Sequence, residues 1–121
     1  MSSINLNEIT NRFHEGRGPA KRLEKLASSW RPGEEYTFDH LYKEVSPSSP
    51  RTLSLILAEL VQRGFLEKLV RVESPSNRGG IKDFPSVTEV PERIYDWRSD
   101  REIEVHPDNL RVLFRVPHHG E

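Results

Sequence analysis

Histidine is the first residue type to weigh for chemistry, because it serves both as metal ligand and as general base. His14, His40, His106, His118 and His119 are present, but no His-x-x-x-His or Glu-x-x-His spacing occurs. Those spacings set two ligands on one helical face, so no metal site is expected. His118 and His119 are adjacent, and neighbours rarely converge on one ion without a third ligand. The serine run 46–49 precedes a helix, where turn and cap duties account for it better than nucleophilic attack. A serine nucleophile would also need a placed base and oxyanion donors, and nothing local supplies them. Asn77-Arg78-Gly79-Gly80-Ile81-Lys82 combines glycines with cations as phosphate loops do, yet lacks the Gly-x-x-x-x-Gly-Lys-Ser/Thr order. A strand precedes it and no helix opens after it, so a hairpin tip with glycine at positive φ is expected. Asp96, Asp100, Glu102, Glu104 and Asp108 are scattered and read as solvating carboxylates. No catalytic residue, metal or small-molecule cofactor is expected, and the chain reads as a non-enzyme.

Composition narrows the remaining classes. The 121 residues are one domain's worth of chain. With 18 basic and 19 acidic side chains the net charge is −1, which excludes a uniformly basic nucleic-acid coat. Residues 1–33 carry 6 basic and 3 acidic groups, residues 34–73 carry 5 and 7, and residues 74–121 carry 7 and 9. Cysteine is absent, which removes disulfides, thiolate catalysis and Fe–S clusters. No apolar run approaches the ~20 residues of a membrane span, and the N-terminus has no secretory apolar stretch. A cytoplasmic protein without membrane contact is the expectation.

The elements that must position any binding residues follow from periodicity. Ile4, Ile9 and Phe13 give residues 1–17 the character of a weak N-terminal arm, broken by Gly16, Gly18 and Pro19. Leu23, Leu26, Ala27 and Trp30 recur at i, i+3, i+4 and i+7 and predict an amphipathic helix from Pro19, ended by Arg31-Pro32-Gly33. Tyr36-Thr37 allows a very short extended piece, and Phe38, Leu41 and Val45 predict a helix over 38–45. Ser49-Pro50 opens a third helix over 50–63, with Leu53, Leu57, Leu60 and Val61 as its stripe and Gly64 as its stop. The period then switches to two. Strands are expected over 65–73 and 84–90 around a polar loop at 74–83, with a hairpin from 93–97 and 102–105. Pro107-Asp108-Asn109 turns into a strand over 110–116. Leu23, Leu26, Trp30, Phe38, Leu41, Val45, Leu53, Leu57, Leu60 and Phe65 are the expected core.

The run from Tyr36-Thr37-Phe38-Asp39-His40-Leu41 through Ser49-Pro50-Arg51-Thr52-Leu53-Ser54 to Leu60-Val61-Gln62-Arg63-Gly64-Phe65-Leu66 resembles the winged helix-turn-helix superfamily. The resemblance covers about residues 18–90. It implies an α+β fold, a three-helix core with an antiparallel β-hairpin wing, and residues 91–121 then form a β-rich extension packed on the same domain. It also implies a third helix in the DNA major groove and a wing on the backbone. Arg51, Thr52, Ser54, Arg78, Lys82, Lys21 and Arg22 would then contact duplex DNA. The outward side of helix 50–63, however, shows Arg51, Leu55, Ala58, Glu59 and Gln62, and base reading favours outward Arg, Lys, Asn or Gln. Leu55 is either core beneath the extension or the centre of an exposed apolar patch with Ile56 at its edge. The leading expectation is an adaptor or regulatory module contacting a partner protein, or a second copy, through Leu55, Ile56, Glu59 and Gln62. A duplex-DNA-binding regulator is the alternative.

Overall fold

Three helices take their ends from local capping. The computed structural model describes residues 17–76 and 78–118; the arm with Ile4, Ile9 and Phe13 lies outside them, as do His14 and His119. Helix α1 (Arg17–Ser28) begins two residues before Pro19, because proline is tolerated anywhere in a first turn. The hydroxyls of Ser28 and Ser29 donate to the carbonyls of Lys25 and Leu26, both at 2.7 Å, and so serve its last turn. Strand β1 (Glu35–Tyr36) leads into α2 (Phe38–Val45). Thr37 Oγ1 accepts from the His40 amide at 3.1 Å, and Ser46 ends this helix in the left-handed region at φ 49°. Helix α3 (Pro50–Gln62) has Ser49 as its cap, with Oγ accepting from the Thr52 amide at 3.1 Å and proline at the first position. Gly64, at φ 82°, releases the chain.

The chain forms two compact units, one running through Glu67 and resuming at Phe114, the other comprising Lys68–Leu113. In the first, Leu23, Leu41, Val45, Leu53, Ile56, Leu57, Leu60, Leu66, Phe114 and Val116 make one buried cluster. Leu26, Trp30, Phe38 and Phe65, expected in the core, are only partly buried against it. Strand β1 pairs antiparallel with the end of a strand from late in the chain, Glu35 opposite Arg115 and Tyr36 opposite Phe114.

The second unit holds most of the β structure. Strands β2 (Glu67–Glu73), β3 (Gly80–Phe84), β4 (Arg93–Asp96), β5 (Arg101–Glu104) and β6 (Leu110–Arg115) follow in order. β2 lies between β6 and β3, and β4 and β5 form a separate antiparallel pair. Two expectations are corrected. β2 starts at Glu67, not Phe65, because the Phe65 and Leu66 amides close on the Leu60 carbonyl at 2.9 and 3.4 Å and finish α3. The returning strand is Gly80–Phe84, inside the expected loop, while Val87–Glu89 is a 3-10 turn. Ser74 and Gly79 hydrogen bond across a tight turn at 2.8 Å, which brings the chain back early. Pro85 has no amide to extend the ladder. Glu73 pairs with Gly80 and Val72 with Lys82, so Ile81 is an extra residue, a β-bulge. Among the described residues the chain is α+β, with three α-helices and antiparallel strands.

Candidate interaction surfaces

At 100° per residue, burial of Leu53, Ile56, Leu57 and Leu60 determines which side of α3 faces out. Arg51, Ser54, Leu55, Ala58 and Gln62 are exposed. Leu55 is 41% exposed and is not core. Ile56 corrects an expectation: it is 1% exposed, because it stands at i+3 from Leu53 and i−4 from Leu60 in the buried stripe. It cannot edge a surface patch. Glu59 is tied to Arg63, one turn on, by an ion pair of 2.7 Å. Thr52 Oγ1 lies 2.9 Å from Ser49 Oγ, so its hydroxyl belongs to the helix cap.

The basic residues of this unit divide in use. Lys21 and Arg51 are exposed. Arg22 instead donates from Nε to the Val45 carbonyl at 2.7 Å and from Nη2 to the Ser46 carbonyl at 3.3 Å. Its charge sits at the negative end of α2, where a cation is stabilising.

In the Lys68–Leu113 unit the turns after β2 and β4 are joined by side chains. Neither Gly79 nor Gly80 has positive φ, contrary to expectation; Arg78 does, at 61°. The glycines are needed for a different reason. A Cβ on Gly79 would collide with the Arg98 guanidinium, and one on Gly80 would come within 2.8 Å of Arg71 Cδ. Each glycine is a seat for an arginine. Arg98 lies over the Trp97 ring at 4.4 Å and donates from Nε to the Gly80 carbonyl at 2.9 Å. The Trp97 indole N–H donates to the carbonyl of the bulged Ile81 at 3.2 Å, which covers part of the β3 edge. Arg71 grips Asp83 in a bidentate pair at 2.7 and 3.0 Å. Lys82 is exposed, with Nζ 5.3 Å from the Phe84 ring centre.

Asp96 holds this junction from beneath. It is fully buried and accepts from Ser74 Oγ at 2.5 Å, Ser99 Oγ at 2.8 Å and the Arg98 amide at 2.9 Å. Burial alone would raise its pKa, but the two hydroxyls and the amides of Arg98 and Ser99 favour the carboxylate and hold it below the ordinary range. Sequence reasoning took Asp96 for a solvating carboxylate and overlooked Trp97, Arg98 and Ser74. Asp96-x-x-Ser99 is an Asx-turn pattern that could have marked the carboxylate; its contact with Ser74, 22 residues away, has no local signal.

Among the described residues no group of three or more His, Cys, Asp or Glu side chains converges to hold a metal ion. No helix among them is long and apolar enough to cross a membrane. Comparison of the chain with protein-family models, with curated proteins and with solved structures finds no significant match.

Proposed function

We propose that the chain is a non-catalytic winged-helix binding module, an adaptor or regulatory subunit that docks a partner protein through the outward face of α3. The element order supports the winged-helix reading: α1, β1, α2 and α3 lead into the β2–β3 hairpin. The observation that carries the docking reading is Leu55. It stands 41% exposed in the middle of the face where a DNA-reading helix would present a polar or basic group. Ala58 lies beside it, Arg51 and Gln62 stand at the two ends, and Glu59 and Arg63 neutralise each other. An apolar centre with a polar rim is the usual anatomy of a protein interface.

Duplex DNA binding is the second reading, supported by Arg51 and Lys21, which are exposed and form no ion pair among the described residues. Leu55→Arg separates the two. Docking predicts that the variant folds and loses its partner in co-purification from the native host, or loses self-association by light scattering where the partner is a second copy. Phosphate contact predicts that Leu55→Arg tightens duplex binding in a gel shift and that Arg51→Ala weakens it. A Leu55→Arg protein that gains duplex affinity and keeps its partners would refute the docking reading.

A further inference from the structure

The Lys68–Leu113 unit carries a shallow groove of about 460 Å³ lined by Arg71, Gly80, Ile81, Lys82, Asp83 and Arg98. Three of the six arginines of this unit have a carboxylate: Arg71 pairs with Asp83, Arg93 with Glu102 and Arg111 with Glu73. Lys82 and Arg98 line the groove and have no carboxylate partner among the described residues. Arg98 is also held in place. Its guanidinium packs against Gly79 and lies over Trp97, and Nε is committed to the Gly80 carbonyl. Both Nη groups remain for an outside acceptor.

Trp97 completes the arrangement. It is 56% exposed although it is a large apolar side chain, and its N–H anchors it to Ile81. Arg98 lies over the ring at 4.4 Å, and more than half of the residue is still exposed to solvent. A fixed aromatic plane beside unpaired cations matches the chemistry of an unpaired nucleotide, whose base stacks while its phosphate is neutralised.

We infer that this groove, with the exposed Trp97 ring beside it, binds a segment of single-stranded nucleic acid. A base stacks on Trp97, and the adjoining phosphates lie on Arg98 and Lys82. A duplex fits less well, because its bases are already stacked on one another and offer Trp97 no free face. An acidic peptide would answer the cations but not the exposed ring. The inference is independent of the docking role of α3, whose residues lie in the other unit.

The test uses the full chain and a short fluorescein-labelled oligothymidylate at low ionic strength, read by anisotropy and by quenching of tryptophan emission. Trp97 is the exposed reporter, since Trp30 is partly buried in the other unit's core. Binding with quenching is expected. Trp97→Ala should weaken it about tenfold or more, the range of one lost base–aromatic stack. Trp97→Phe, which keeps a ring but loses the N–H anchor, should retain most of the affinity and guards against a folding artefact. Lys82→Ala leaves the fold's hydrogen bonds untouched and should lower the slope of log affinity against log salt by about 0.7, the loss of one phosphate contact. Absence of binding, or binding that neither Trp97→Ala nor Lys82→Ala alters, would overturn the inference. So would equal or tighter binding of a duplex of the same length, or of thymidine monophosphate, or equally effective displacement by polyglutamate.

Discussion

Asp96 shows how much one side chain can organise. Its carboxylate ends β4, turns the chain toward β5 and reaches Ser74 at the end of β2. Because its folded pKa lies below the ordinary value of 3.8, its contribution is fully present above that value. It is lost as pH falls through the depressed folded value. Thermal melts of the native chain should therefore lose midpoint temperature on acidification below the ordinary carboxylate range. Asp96→Asn should start from a lower midpoint near neutral pH and show a flatter acid limb; an unchanged acid limb would remove Asp96 as its cause. Gly79 makes a second residue-scale case. Its backbone is unstrained for any residue, so Gly79→Ala should cost only through collision with Arg98, at the low end of about 1–3 kcal/mol for overpacking. The displaced guanidinium should shift Trp97 emission, and no shift would argue against the stacked pair.

Helix α3 is the element on which the functional reading turns. Its start was legible, since Ser49 and Pro50 act there as cap and first residue. Ser49→Ala should cost about 1 kcal/mol in urea melts, the usual loss for such a cap. Its orientation was legible too. Leu53, Ile56, Leu57 and Leu60 share one face at i, i+3, i+4 and i+7, so periodicity already put Ile56 on the buried side, and placing it at the edge of a patch around Leu55 went against that spacing. Truncation tests the observed face directly. Ile56→Ala should cost about 2–5 kcal/mol as a buried large-to-small change, whereas Leu55→Ala should cost less than about 1 kcal/mol. Comparable costs at the two positions would contradict the burial that underlies the docking proposal. The β2–β3 hairpin was recognised as an element but displaced, because its tight turn and the bulge at Ile81 follow cross-strand pairing rather than the hydrophobic pattern.

At the scale of the molecule, residues far apart in sequence make single units. Phe114 and Val116 close the core built by α1, α2 and α3, and Phe114 is also opposite Tyr36 in the β1 pairing. Phe114→Ala should thus cost about 3–5 kcal/mol and reduce helical circular dichroism; a loss confined to β signal would show that the helices stand without it. The amino-acid sequence by itself determined the three helices, the 93–97/102–105 hairpin and the strand after Pro107-Asp108-Asn109. Caps, turn residues and apolar period act over a few residues, and the chain carries that information locally. The use of Gly79 and Gly80 as arginine seats, the loss of Arg22 to the end of α2 and the Ser74–Asp96 contact were decided only by the tertiary structure. Each depends on a group brought close by folding, and a side chain's burial or charge partner is set by what packs against it, not by its neighbours along the chain.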